Sequence, residues 1–99
     1  MFKQRRNGSS PKCVRSYAIC TECACEHEFF EGMNEKSKTY VYANCDCPNC
    51  GRITRHITMG RDLEMSKIRL QYIEDEDKTP IQLHATYLIN RRNEHRRTR

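Results

Sequence analysis

Two cysteine pairs carry the chemistry of this chain: Cys20-Thr21-Glu22-Cys23 and Cys47-Pro48-Asn49-Cys50. A two-residue spacer lets both sulfurs of a tight turn face one ion, while backbone N–H groups of the turn hydrogen-bond the thiolates. Gly51, directly after the second pair, suits the positive φ that such a turn requires. Four thiolates close a tetrahedral shell around Zn²⁺, and iron is the other ion that takes this set. The alternative is a reduced, metal-free set, which two correctly spaced pairs argue against. Cys25 lies two residues after Cys23, and Cys45 two before Cys47. Both are alternative ligands, by a swap or in a two-metal cluster that shares thiolates. Cys13 is remote and reads as a small core residue. His27 and His56 have ligand chemistry, but each stands singly on a strand-like run, and a four-cysteine shell leaves them no vacancy.

A catalytic zinc keeps three protein ligands and one open position. Thiols are in surplus here, so the expected site is closed and structural. Cys20-Thr21-Glu22 matches the first half of a zinc-deaminase pattern, but Pro48 falls inside the second pair instead of before it. The sequence has no glycine-rich phosphate loop, no Gly-x-Ser-x-Gly and no His-Glu-x-x-His. Asn93-Glu94-His95 lacks the rest of a nuclease site. A redox Cys-x-x-Cys would need a thioredoxin-like setting that the sequence does not offer. The expectation is a binding protein, not an enzyme.

The elements that must hold the cysteines are β-prone. Val14, Tyr17 and Ile19 suggest a strand entering Cys20. His27 to Glu31 and Thr39 to Tyr42, joined by a Gly-containing polar turn, read as a hairpin. Twenty-three residues separate Cys23 from Cys47, which two strands and a six-residue turn would fill. Ile53 to Thr58 reads as a further strand closed by Gly60. Ile68, Leu70 and Tyr72 alternate with polar residues, which favours a strand, and Glu74 to Lys78 follows as an exposed acidic loop. Ile81, Leu83, Ala85, Tyr87 and Ile89 alternate as a strand would, but the Thr79-Pro80 start signal, with Ile81, Ala85 and Leu88 on one face, favours a helix from about residue 80. The expected fold is a small metal-stabilised α+β domain: β-hairpins that resemble those of a zinc ribbon, then a strand and a C-terminal helix. Its expected parts are a basic N-terminal arm (1–12), the ribbon (13–60), a strand plus helix on or beside it (61–90) and a basic C-terminal tail (91–99).

Residues 14–60 resemble the zinc-ribbon family. Cys47-Pro48-Asn49-Cys50-Gly51 is similar to its rubredoxin-type knuckle, and Cys20-Thr21-Glu22-Cys23 with Glu26-His27-Glu28-Phe29 resembles the first knuckle of short bacterial and phage ribbons. The chain departs from that pattern at Ala24, where glycine is usual, and in the extra Cys25. The resemblance implies a fold and a metal, Zn²⁺ on Cys20, Cys23, Cys47 and Cys50, and no particular activity.

Composition agrees that something besides apolar burial holds the chain. Leu, Ile, Val and Phe number sixteen of 99 residues, and there is no Trp, which is below the roughly 20% of chains that collapse unaided. That excludes a deep small-molecule cavity. No apolar run is long enough to cross a bilayer, and no signal-peptide core follows the basic start. The expected setting is therefore reducing: cytoplasm, or the inside of a viral particle. The net charge of +5 is unevenly placed. Residues 1–15 carry five cations and no acid, and 91–99 five arginines against Glu94, whereas 16–90 hold eight Lys/Arg against twelve Asp/Glu. Basic ends around an acidic body fit arms that reach an anionic partner, or ends that merely keep the protein soluble. The first reading is a small nucleic-acid-binding protein (DNA or RNA), a phage-type or bacterial regulatory accessory factor. Arg5, Arg6, Arg91, Arg92, Arg96 and Arg97 would meet phosphates, Arg52 and Arg55 would extend that surface, and Tyr40 or Tyr42 would stack on a base. The second is a structural or protein-interaction subunit whose arms meet acidic protein surfaces in a multi-protein assembly, such as a phage particle or transcription complex.

Overall fold

Each Cys-x-x-Cys forms the turn of its own β-hairpin. The computed structural model describes residues 13–32 and 38–97; the expected N-terminal arm, with Arg5 and Arg6, lies outside them. Strand β1 (Cys13–Cys20) enters the first cysteine pair and β2 (Glu26–Gly32) leaves it. Strand β3 (Thr39–Cys47) enters the second pair and β4 (Arg52–Gly60) leaves it. The two hairpins join through β1 and β4, giving an antiparallel sheet in the order β2-β1-β4-β3 with both cysteine turns at one end.

This pairing corrects the expected hairpin between 27–31 and 39–42. Those runs lie in β2 and β3, on opposite edges of the sheet. The knuckles pair β1 with β2 and β3 with β4, which leaves the hairpins to join through either β2 and β3 or β1 and β4, and they join through β1 and β4. Apolar content agrees: the central strands carry Ile19, Ile57 and Met59, all fully buried, while the edges carry Glu28, Asn44 and Asp46, which suit the rim of a sheet.

The stretch expected to be a strand at 68–72 is a helix, α1 (Leu63–Tyr72). Asp62 caps it by accepting from the Met65 N–H at 3.0 Å. Its inner face is Ser66 and Leu70, one turn apart. Ile68 and Tyr72, the residues that suggested alternation, are exposed. The acidic run includes a 3₁₀ turn, Asp75–Asp77, and is exposed. The second helix, α2 (Pro80–Arg97), starts where the sequence indicated. Thr79 and Gln82 form a reciprocal capping box: the Gln82 N–H donates to Thr79 Oγ1 at 3.3 Å, and the Thr79 N–H to Gln82 Oε1 at 3.0 Å. Ala85 and Leu88 are fully buried, with Ile81 and Ile89 packed beside them. The helix continues through most of the expected basic tail.

Both helices cover one sheet face. Tyr17, Ile19, Ile57 and Met59 meet Leu70, Ala85 and Leu88 there. Alternation sends Ser16, Ala18, Cys20, Thr54, His56 and Thr58 to the other face, and all are buried. A bulge sets Tyr40 and Val41 against Thr58 and turns Tyr40 towards α1. Tyr40 holds a left-handed φ of 63°, and its hydroxyl donates to the Ser66 carbonyl. Ser66 in turn donates to the Met59 carbonyl, fastening α1 to β4.

Gly60 ends β4 at φ +83°, and a Cβ there would stand 2.8 Å from Thr39 Oγ1. Gly51, at φ +73°, has nothing within 4 Å. Both positions cost alanine about 1–2 kcal/mol of left-handed strain, and Gly60 adds a clash of about 1 kcal/mol or more. Gly60→Ala is therefore expected to lower the urea midpoint more than Gly51→Ala; equal midpoints would contradict the close Thr39 approach.

Candidate metal centre

The Sγ atoms of Cys20, Cys23, Cys47 and Cys50 all lie within 4.8 Å of one another. Cys20 is 3.9 Å from Cys50, and Cys23 is 3.6 Å from Cys47. A tetrahedron with metal–sulfur bonds of about 2.3 Å has edges of about 3.8 Å, so the group has the size of a Cys₄ metal shell.

The two turns repeat one geometry. The Ala24 N–H donates to the Cys20 carbonyl and the Gly51 N–H to the Cys47 carbonyl, each at 2.8 Å. The residue after each pair is left-handed, Ala24 at φ 63° and Gly51 at 73°. Ala24 thus keeps the conformation of the usual glycine despite its Cβ, and its burial in the core opposes the strain. Backbone N–H groups point at sulfur in both turns: Glu22 to Cys20 Sγ at 3.3 Å and Cys50 to Cys47 Sγ at 3.4 Å. Donors aimed at sulfur favour thiolates over thiols.

Burial pushes the Cys20 thiol up, but the Thr54 hydroxyl, 3.1 Å away, and the turn N–H groups outweigh it and bring its pKa down to about 7. Desolvation and the neighbouring Cys23, Cys47 and Cys20 sulfurs push Cys50 up to about 12. Burial also raises Cys23. Four sulfurs this close cannot all ionise against one another, and a bound cation is what lets them do so.

The alternative ligands separate. The Cys25 thiol donates to the Glu26 carbonyl at 3.8 Å and stands outside the four-sulfur group. Cys45 belongs to another group, with His27 and His56. The two histidines, read from sequence as lone strand residues, meet across β1 with their Nε2 atoms 2.8 Å apart. Only strand register reveals this, because the residues are 29 apart in the chain.

The candidate phosphate-binding arginines divide as well. Arg91 and Arg92 reach back to the first knuckle, where they donate to the carbonyls of Glu22 (3.4 Å) and Ala24 (3.5 Å). Arg92 Nε also lies 3.5 Å from Glu26, whose other oxygen is 2.7 Å from Lys67. That triad ties both helices to β2. Sequence reasoning missed it, because a terminal arginine run reads as an arm. Arg52 lies 3.9 Å from Glu22 at the surface. The Arg55 guanidinium sits 4.5 Å over the Tyr42 ring. The side chains of Arg96 and Arg97 lie outside the described residues. Of the two tyrosines considered for stacking, Tyr40 is half-buried against the core and Tyr42 is exposed.

Among the described residues no helix is long and apolar enough to cross a membrane. No family model matches the chain, nor does any curated protein or solved structure.

The geometry separates two neighbouring cysteines. Cys23→Ser is expected to weaken metal retention at least tenfold and to broaden thermal unfolding, whereas Cys25→Ser leaves both near wild type. Chelator competition on the two variants measures this; equal losses would place Cys25 in the shell.

Proposed function

We propose that this protein is a small zinc-ribbon-type module that binds nucleic acid, with Zn²⁺ on Cys20, Cys23, Cys47 and Cys50 as its structural ion. Two knuckles of like geometry and sulfur spacings near a tetrahedral edge support the metal assignment. No fourth position is left open for substrate in a closed Cys₄ shell, so the zinc supplies rigidity and no reaction step.

The binding assignment rests on one surface. Arg55 stacks over Tyr42, which is 43% exposed, and the Tyr42 hydroxyl is 2.8 Å from His84 Nδ1 on α2. A cation, a phenol ring and an imidazole on a rigid sheet edge fit an unpaired base and its phosphate. Arg52 stands apart from this group, on the other face of β4, where it reaches Glu22 of the first knuckle. The basic ends supply sequence-independent attraction, so binding is weakly specific and steep in salt. Arg91 and Arg92 contribute less to it than their charge suggests, since they serve the first knuckle.

A protein-interaction role is the second reading, and exposed apolar side chains favour it. Tyr72 is 83% exposed, Ile53 65% and Tyr87 60%. Fluorescence anisotropy with a single-stranded oligonucleotide discriminates the two. Binding that weakens at least tenfold between low and moderate salt, and again by roughly tenfold (about 1–3 kcal/mol for a lost base stack) in Tyr42→Ala with Arg55→Ala, supports nucleic acid. Indifference to oligonucleotides at low salt leaves the interaction-subunit reading.

A further inference from the structure

The face of the sheet away from the helices carries a second cluster of ligand atoms. His27 stands on β2, opposite Ala18 of β1, and His56 on β4, opposite Cys20. Ala18 is small and fully buried, so two imidazoles from strands on either side of β1 can meet over it. Their rings stand edge to face with centroids 4.8 Å apart. Cys45 on β3 brings its Sγ within 4.8 Å of both Nε2-bearing rings' ligand atoms.

The carbonyl partners favour one placement of the ring protons. His56 Nδ1 is 2.9 Å from the Thr54 carbonyl, and His27 Nδ1 is 2.9 Å from the Glu28 carbonyl. A carbonyl oxygen only accepts, so each Nδ1 must carry the proton. Each Nε2 is then left as a lone pair, and the two lone pairs face each other across 2.8 Å. Two neutral rings cannot satisfy all three contacts at once: either one ring gives up its carbonyl and donates from Nε2, or a cation sits between the two Nε2 atoms. Backbone carbonyls that orient imidazoles in this tautomer are the usual support of metal-bound histidine.

We propose that His27, His56 and Cys45 form a second metal site, for a zinc-class divalent ion, with its fourth position open. Tetrahedral bonds of about 2.0–2.3 Å place the two nitrogens about 3.3 Å apart and each about 3.6 Å from sulfur, so binding asks the rings to part by about half an ångström. A hollow of about 440 Å³, lined by His27, Glu28, Asp46 and Arg52 among others, gives the site access to solvent. Water or a small anion completes the shell from there. The site shares no ligand with the four-cysteine centre, so either can fail without the other.

Native mass spectrometry of the reduced, metal-free full chain titrated with Zn²⁺ counts the ions, and Co²⁺ absorption identifies each ligand set. Wild type is expected to take two ions, while His27→Gln and Cys45→Ser each take one and keep the Co²⁺ spectrum of a four-thiolate site. That retained spectrum shows the variants are folded. Should His27→Gln lose both ions by unfolding, Cys45→Ser, a near-isosteric change at a half-buried position, decides alone. One ion in wild type, or a second ion that survives both substitutions, overturns the site. In the first case a proton on or between the two Nε2 atoms holds the pair, and the four-cysteine centre stands unaffected.

Discussion

Four sulfurs converging at one end of the sheet are the constraint on which the remaining structure depends. The buried apolar residues among those described are few: three are alanines and two are the ligand candidates Cys20 and Cys47. Ile19, Ile57, Met59, Leu70 and Leu88 are the only large ones. Such a layer aligns two helices on a sheet but does not by itself offset the ordering of four strands. An ion held between the two turns would fasten β1, β2, β3 and β4 at one point. It would convert metal-binding energy into folding energy, as in small metal domains.

The charge of the chain takes a different meaning once its position in the fold is known. Arg91 and Arg92 sit at the far end of α2 and bond to the backbone of the first knuckle, so the helix C-terminal region and the metal centre brace each other. Glu26 stands between Lys67 of α1 and Arg92 of α2, beside the same knuckle. Paired cations near a partly buried carboxylate contribute more than exposed surface pairs do. Part of the basicity that suggests a phosphate-binding tail is thus structural. The surface proposed above for nucleic acid is instead the one where Arg55 lies over Tyr42 beside His84.

Local signals in the sequence were reliable where the physics is local. The Cys-x-x-Cys turns, the Thr79-Pro80 start of α2 and its Ala85/Leu88 face all depend on neighbours within about four residues, and each is found where expected. Non-local pairing was not legible. Phe29 and Tyr42 lie on strands that read as partners because they are successive, yet the hairpins join through β1 and β4, which leaves β2 and β3 at opposite edges. The helix α1 was hidden because Ile68 and Tyr72, which face solvent, mimic a strand's alternation, while its anchors are the small Ser66 and Leu70. The meeting of His27, His56 and Cys45 depends on the register of four strands, which no spacing rule conveys.

The central claim is that a metal on Cys20, Cys23, Cys47 and Cys50 holds the sheet together. Thermal unfolding followed by circular dichroism, on zinc-loaded chain and on chain stripped by chelator under reducing conditions, tests it most directly. The loaded protein is expected to unfold in one cooperative transition, and the stripped protein to lose that transition and regain it when Zn²⁺ is restored. A stripped chain that unfolds as cooperatively, at the same midpoint, would contradict the claim.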